Sequence, residues 1–505
     1  MFRAFFRYNS RACVKKQNAF FRQTPDWKRY AGIRVRSLRM SEKNKTTRMI
    51  RHDIPLRLLK VLNIVLITIP FICCWYGYYE GKMKYGFYRR GNYMIIALFM
   101  LVYFIFARVY NAFLVSVNRV SEMVYSQVLA ALLTDGISYL VICLLVKGFP
   151  NLIPGILAIV GQILLSALWC AFAHYWYFKS FPPQKTMIIY DVREGMEKLI
   201  NQYDLEQKFE VKAVFQVKEC LEKLESLKSV ETVFLSGIHS HDRNIILKYC
   251  VEHGVKVYVI PRVGDVVMSG AKKIHMFHLP VLRVERYNPQ PEYLFLKRLT
   301  DLVMAGTATI LLSPIMLITA IAIKAYDKGP VFYSQIRLTK DGKEFGVLKF
   351  RSMKVNAEKD GVARLSSGDN DPRITPVGRF IRKVRIDELP QLFNILRGDM
   401  TIVGPRPERP SIAAEYEEVM PEFRLRLQAK AGLTGYAQVY GKYNTTPYDK
   451  LLMDLTYISH PSYLEDLRIM FATVKILFMP ESTEGVAEGQ TTAMEETASS
   501  SEEKN

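Results

Sequence analysis

Four long apolar runs crowd the first third of the chain, at roughly 58–79, 93–115, 127–147 and 152–178. Each is close to the ~20 residues that a helix needs to cross the hydrocarbon core of a bilayer. Trp75, Tyr76, Tyr78 and Tyr79 close the first run, and Trp176 and Tyr177 close the fourth, where interfacial aromatic anchors belong. Residues 1–57 are rich in Lys and Arg and show no signal-peptide cleavage pattern, since the first apolar run begins near Leu58. They read as a basic cytoplasmic arm on the membrane surface, with Met40 as a second candidate start. A basic arm places the N-terminus in the cytoplasm, and an even number of spans returns the chain there near Lys179. Lys82, Lys84, Arg89 and Arg90 in the first loop oppose this topology, and the arm and the downstream soluble region outweigh them. Asp135 is the one clear acid within the third run and reads as a helix–helix contact.

The net charge of +21 suits an anionic leaflet or a phosphate-bearing ligand, and no nucleic-acid-binding motif accompanies it. The seven cysteines, Cys13, Cys73, Cys74, Cys143, Cys170, Cys220 and Cys250, show no C-x-x-C spacing. A disulfide framework or a zinc ribbon is thereby excluded, leaving reduced, apolar thiols.

Beyond the fourth run the texture changes. Between 185 and 283, β-rich stretches (Met187–Tyr190, Val211–Phe215, Thr232–Leu235, Val257–Ile260) alternate with helical ones near Glu194–Tyr203, Lys218–Leu227 and Asp242–His253. That alternation predicts a small α/β domain with a parallel sheet. Asp191-Val-Arg-Glu-Gly195 follows its first strand where a dinucleotide fold needs G-x-G-x-x-G, so the domain reads as a spacer or regulatory module. Residues 298–325 form a further apolar run broken by Ser313-Pro314, either a full crossing or a kinked hairpin that returns to its own side. The tail 481–505 is rich in Glu, Ser and Thr and cannot bury a core.

Chemistry concentrates in Pro376–Leu396. Leu389, Leu392, Phe393 and Leu396 recur at helical spacing, so a helix follows Glu388, with Pro390 in its first turn and Asp387 at its N-cap. Arg379, Arg382, Lys383 and Arg385 precede the two acids. Paired carboxylates among cations suit Mg²⁺ and a diphosphate, with one carboxylate free to attack phosphorus. Taken alone, the same residues also read as a helix cap beside surface charge. Gly404-Pro-Arg-Pro407 is a rigid turn that fixes one Arg, and Lys349-Phe-Arg-Ser-Met353 puts Lys349 and Arg351 on a strand. Gly329–Arg337 reads as a turn entering another strand. Leu464, Leu467, Phe471, Val474 and Phe478 mark a helix over 461–478, either core-facing or interfacial.

Taken together, Lys297-Arg298 with Asp301, Ser313-Pro314, Gly329–Arg337, Lys349–Met353, Pro376–Leu396 and Val403–Pro407 make residues 297–480 resemble the bacterial sugar transferase domain. This is the catalytic unit of the monotopic polyprenyl-phosphate phosphoglycosyl transferases. The resemblance implies a membrane protein of the bacterial plasma membrane with cytoplasmic soluble domains. Its parts would be a basic arm (1–57), a four-helix transmembrane bundle (58–178), a Rossmann-like α/β domain (185–283), an α/β catalytic domain (297–480) with a re-entrant membrane helix (298–325), and the acidic tail. It implies that a sugar-1-phosphate moves from a UDP-sugar to undecaprenyl phosphate, initiating surface-polysaccharide assembly. Asp387 would be the nucleophile, forming an aspartyl-phosphosugar and releasing UMP, and Asp387 and Glu388 would hold Mg²⁺. Arg382, Lys349, Arg351 and Arg406 would clamp phosphates and nucleotide, and Ser313 and Pro314 would break the re-entrant helix. Asn356 stands where relatives often carry an acid. A homodimer through the membrane or α/β segments and hand-over to downstream glycosyltransferases fit the same reading. Galactose, glucose, N-acetylated and deoxyamino sugars all stay open. A non-catalytic scaffold of polysaccharide assembly is the alternative, and the scarcity of intramembrane charge argues against a transporter.

Overall fold

The computed structural model describes residues 54–87, 90–191, 195–202, 205–355, 373–441 and 445–477. The acidic tail, Arg89, Asn356 and all but the last four residues of the basic arm lie outside them. The described residues form two compact units, one joining those up to Leu101 with Tyr139–Trp169, the other Val102–Ser138 with those from Cys170 onward.

The long apolar runs form helices: α1 (Ile54–Lys82), α2 (Gly91–Val109), α3 (Val120–Val146) and α4 (Ile153–Ser180), each long and apolar enough to cross a membrane. In the first unit, Phe71 stacks on Phe99 at 4.2 Å. The Tyr79 hydroxyl donates to the Asn151 carbonyl at 3.0 Å. Aromatic rings thus supply apolar contact while their polar edges find partners, as buried Tyr requires.

The second unit contains a four-stranded parallel sheet of β1 (Gln184–Tyr190), β2 (Phe209–Gln216), β3 (Thr232–Ser236) and β4 (Lys256–Val259), in the order β2-β1-β3-β4. β1 is buried along four successive residues, as a central parallel strand must be, whereas edge strand β2 alternates. Met187, Ile189, Val233, Leu235, Ile246 and Cys250 form its core. Each large apolar side chain buried there contributes on the order of 1.5–3 kcal/mol. A hairpin of β5 (Lys272–Met276) and β6 (Leu279–Arg283) follows. Sequence periodicity does not reveal it, because Phe277 and His278, rather than Gly or Asn, take the positive φ of its turn.

Helix α5 (Pro291–Asp327) runs through Ser313 and Pro314. The Ser313 hydroxyl donates to the Ile310 carbonyl at 2.7 Å. Most of its large apolar side chains are exposed, while Asp301, Ala305, Met316, Thr319 and Ile323 are buried. Asp301 accepts from the Ile402 N–H at 2.9 Å and the Thr401 hydroxyl at 2.7 Å. Arg298 donates to the carbonyls of Ile395 and Leu396 at 2.7 and 2.8 Å. Met316 and Ile323 join a cluster with Phe350 and Ile381.

The rest of this region includes the hairpin β7 (Phe332–Leu338) and β8 (Glu344–Phe350), helix α6 (Pro376–Lys383), helix α7 (Gln391–Arg397) and the short parallel pair β9 (Thr401–Val403) and β10 (Gly432–Thr434), with further helical segments at Pro410–Val419, Pro421–Gln428 and Pro447–Ser459. It closes with helix α8 (Tyr463–Leu477). Asp466 and Ile469 of α8 are buried; of the apolar stripe expected on this helix, Phe471 packs edge-on against Phe106 at 5.2 Å, Leu464 and Val474 are exposed, and Phe478 lies outside the described residues.

Thr375 caps α6 by accepting from the Gly378 N–H at 2.9 Å. A β-carbon at Gly378 would lie 1.9 Å from the Ser352 carbonyl, so the close seat of α6 on the end of β8 needs glycine. The same holds where β9 meets β10: a β-carbon on Gly432 would lie 2.2 Å from the Gly404 nitrogen. Gly432→Ala forces that backbone pair apart, with an expected cost of about 3 kcal/mol. Thermal unfolding of the purified protein should show a Tm lowered by several degrees.

Candidate active site

Asp387 and Glu388 lie in a one-turn 3₁₀ segment, Ile386–Glu388, between α6 and α7. The expected N-cap role of Asp387 is corrected: Arg385 precedes the turn in the left-handed region at φ 56°, and Pro390 occupies the N-cap of α7. Arg385 closes back on the Arg382 carbonyl (3.1 Å), and Leu389 on that of Ile386 (3.1 Å). Ile386 and Leu389 pack into the cluster of Phe350 and Ile381. The acids thus sit on a turn pinned at both sides by apolar contacts and entered through Arg385, which holds a backbone state that a non-glycine residue adopts at a cost.

Lys349, projecting from β8, donates to Glu388 Oε1 at 3.1 Å. Arg406, from the Gly-Pro-Arg-Pro loop, approaches the same oxygen at 3.6 Å. Burial pushes the Glu388 carboxyl up, but the charges of Lys349, Arg406 and Arg385 outweigh it and hold the group down at about 2. The neighbouring Asp387 goes the other way. Burial and then the charge of Glu388 raise it to about 6, against the pull of Lys349, Arg382 and Arg385. Among the described residues no side chain donates a hydrogen bond to Asp387. Two adjacent acids in opposed states are a signature of a chemical site. Of the four cations before the dyad, Arg379 and Lys383 are exposed, while Arg382 and Arg385 are half-buried and act on Asp387.

Arg351 does not join this group. It is buried and pairs with Asp327 at the end of α5, packed so tightly against Gly329 that a β-carbon there would lie 2.5 Å from its guanidinium. It ties α5 to β8 rather than facing the dyad. Ser313 and Pro314 stand midway along α5. The sequence reading passed over Asn394, which is fully buried and bridges α7 to β8: its amide donates to the Gly346 carbonyl at 2.8 Å and its carbonyl accepts from the Leu348 N–H at 2.9 Å. Its place six residues after Glu388, between Phe393 and Ile395 in an apolar run, is the available signal.

No group of three or more His, Cys, Asp or Glu able to hold a metal occurs among the described residues. Asp387 and Glu388 offer two adjacent carboxylates, one of them without a hydrogen-bonded side-chain partner. Mg²⁺ takes one or two carboxylates together with waters and substrate phosphates. The pair therefore fits a Mg²⁺ shared with a diphosphate better than a resident structural ion.

A family model described as bacterial sugar transferase matches residues 292–480. A UDP-glucose:undecaprenyl-phosphate glucose-1-phosphate transferase of Caulobacter vibrioides is 40% identical over 191 residues, 37% of this chain and 71% of that protein. The chain belongs to the bacterial sugar transferase family. It is also similar to a UDP-N-acetylgalactosamine-undecaprenyl-phosphate N-acetylgalactosaminephosphotransferase of Aeromonas hydrophila, 38% identical over 46% of this chain and 54% of that protein. A UDP-glucose:undecaprenyl-phosphate glucose-1-phosphate transferase of Escherichia coli is 39% identical over 41% of this chain and 44% of its own length. The chain thus spans about half the length of these last two relatives.

The opposed carboxyls make opposite forecasts for stability. Asp387 titrates higher in the fold than its ordinary 3.8, so its ionisation costs stability as pH rises through that window. Glu388 titrates below its ordinary 4.5, so its stabilisation is complete above that value and lost as pH falls from there through about 2. At about pH 7, Asp387→Asn should raise Tm and Glu388→Gln should lower it. In thermal unfolding curves the Asp387 difference should be nearly gone by about pH 4, whereas the Glu388 difference should shrink only as pH falls on toward about 2.

Proposed function

We propose that this protein transfers a sugar-1-phosphate from a UDP-sugar to undecaprenyl phosphate, releasing UMP and initiating surface-polysaccharide assembly. The observation that carries the reading is the meeting of Lys349, Arg406 and Glu388 beside Asp387, whose carboxyl burial and the Glu388 charge raise. The relatives' names supply the donor and acceptor classes.

In the first half-reaction an Asp387 oxygen attacks the β-phosphorus of the donor. An aspartyl O–P bond forms, the bond from that phosphorus to the bridging oxygen breaks, and UMP leaves with the electron pair. In the second, a phosphate oxygen of the lipid attacks the same phosphorus, giving the lipid diphosphosugar and returning the Asp387 carboxylate. Lys349, Arg382 and Arg406 hold the phosphate oxygens against the negative dyad. Asp387 and Glu388 would hold Mg²⁺, which when bound supplies further neutralisation of phosphate charge. Arg351 holds the architecture rather than the nucleotide.

The soluble domains lie on the cytoplasmic side of the bacterial plasma membrane, where the nucleotide donor is. In this reading α5 is re-entrant. Its N-terminal half is tied to α7 and β9 through Arg298 and Asp301, and its C-terminal half packs with Phe350 and Ile381, so both halves lie against one body. Pro314, inside this helix, offers no N–H to the turn before it and is where a re-entrant helix would bend. The parallel-sheet domain serves as a spacer or regulatory module.

Asp387→Asn should reduce UMP release from a UDP-sugar, in the presence of undecaprenyl phosphate and Mg²⁺, by at least about a thousandfold. A variant that kept most of its turnover would remove Asp387 as nucleophile, and a wild type inert toward every donor would favour the scaffold. For the membrane helix, Glu292→Cys and Lys328→Cys, each in a background lacking other cysteines, should both react with an impermeant thiol reagent from the cytoplasmic side of oriented vesicles. Reaction from opposite sides would mean that α5 crosses.

A further inference from the structure

Behind the Gly404–Pro407 loop lies a set of charges that the reaction itself does not use. Three successive carbonyls of this loop each have their own donor. The Gly432 N–H donates to the Pro405 carbonyl at 2.9 Å. Arg426 Nη2 donates to the Arg406 carbonyl at 2.8 Å. Arg337 Nη1 donates to the Pro407 carbonyl at 3.1 Å. Pro405 and Pro407 have fixed φ and no N–H to offer, so the loop is held largely through these three carbonyls.

Arg426 is almost fully buried, with its Nε 2.9 Å from Asp454 Oδ2 and its guanidinium over the Phe423 ring at 4.9 Å. Asp454 is buried at 1% exposure, and its second oxygen has no hydrogen-bond partner. Glu408, the next residue after the loop, lies 3.4 Å from Arg337 and 3.8 Å from Arg426. A buried Arg–Asp pair gains little net stability over an apolar pair of the same volume, because both charges must leave water. What distinguishes this pair is the carbonyl that its guanidinium holds.

We propose that Arg426 and Arg337 are positioning residues: they lock the Pro405–Pro407 backbone so that the Arg406 side chain, 3.6 Å from Glu388, is presented to the donor's diphosphate. The role rests on the donor reading above. Asp454 holds the Arg426 guanidinium in orientation, and Glu408 does the same from the other side of the loop.

The test is a double-mutant cycle on binding in the full-length purified protein, with inorganic pyrophosphate and UDP as probes in calorimetry. Arg426→Lys keeps a cation against Asp454 but cannot span both Asp454 and the Arg406 carbonyl. It should weaken pyrophosphate binding about tenfold, the loss expected for one charge-assisted hydrogen bond. In an Arg406→Ala background the same change should add nothing, because its effect passes through Arg406. Arg337→Gln repeats the cycle should Arg426→Lys fail to fold. Equal losses in both backgrounds, or unchanged binding by a folded Arg426→Lys protein, would overturn the proposal. A wild type that binds pyrophosphate but not UDP would count against the nucleotide donor and leave the positioning role standing. A wild type that binds neither would overturn both.

Discussion

One carboxylate joins three distant parts of this chain. Glu388 comes from the turn between two helices, Lys349 from a β-strand and Arg406 from a proline-bounded loop, and they meet within 3.6 Å. At the effective dielectric of a half-buried site, such a contact is worth up to about 4 kcal/mol of Coulomb attraction before desolvation is subtracted. The ionisation of Asp387 depends on this arrangement. With Glu388 held negative, its neighbour resists becoming so, and the two acids acquire different chemistry from their surroundings rather than from their type.

The helix after Glu388, the four parallel strands and the long apolar helices were legible in the sequence because each rests on local periodicity. The start of α7 was not. The pattern at Leu389, Leu392, Phe393 and Leu396 announces a helix, but whether it begins at Asp387 or three residues later depends on Arg385 turning left-handed. Lys349 and Arg351 look equivalent in the sequence, two residues apart on one strand. Only the fold separates them, sending one to Glu388 and the other to Asp327, 24 positions upstream. The hairpin at Lys272–Arg283 stayed hidden for a related reason, since its turn uses Phe277 and His278 where turn chemistry leads one to look for glycine.

Several local rules are broken close to the dyad. A non-glycine residue holds a positive φ, an acid is kept in a setting that opposes its charge, and Arg351 is buried with part of its guanidinium unpaired. The surroundings compensate through tight packing. Gly378 admits the backbone of Ser352, Gly404 admits Gly432, and Asn394 stitches α7 to β8 from a fully buried position. Such over-determined packing is what allows strained residues to persist.

Arg298 reaches from α5 to the last carbonyls of α7, the helix that begins just past the dyad. Asp301 fastens the same helix to β9, and the Arg351–Asp327 pair fastens its far end to the end of β8. No displacement of this long apolar element therefore leaves the frame around the dyad untouched.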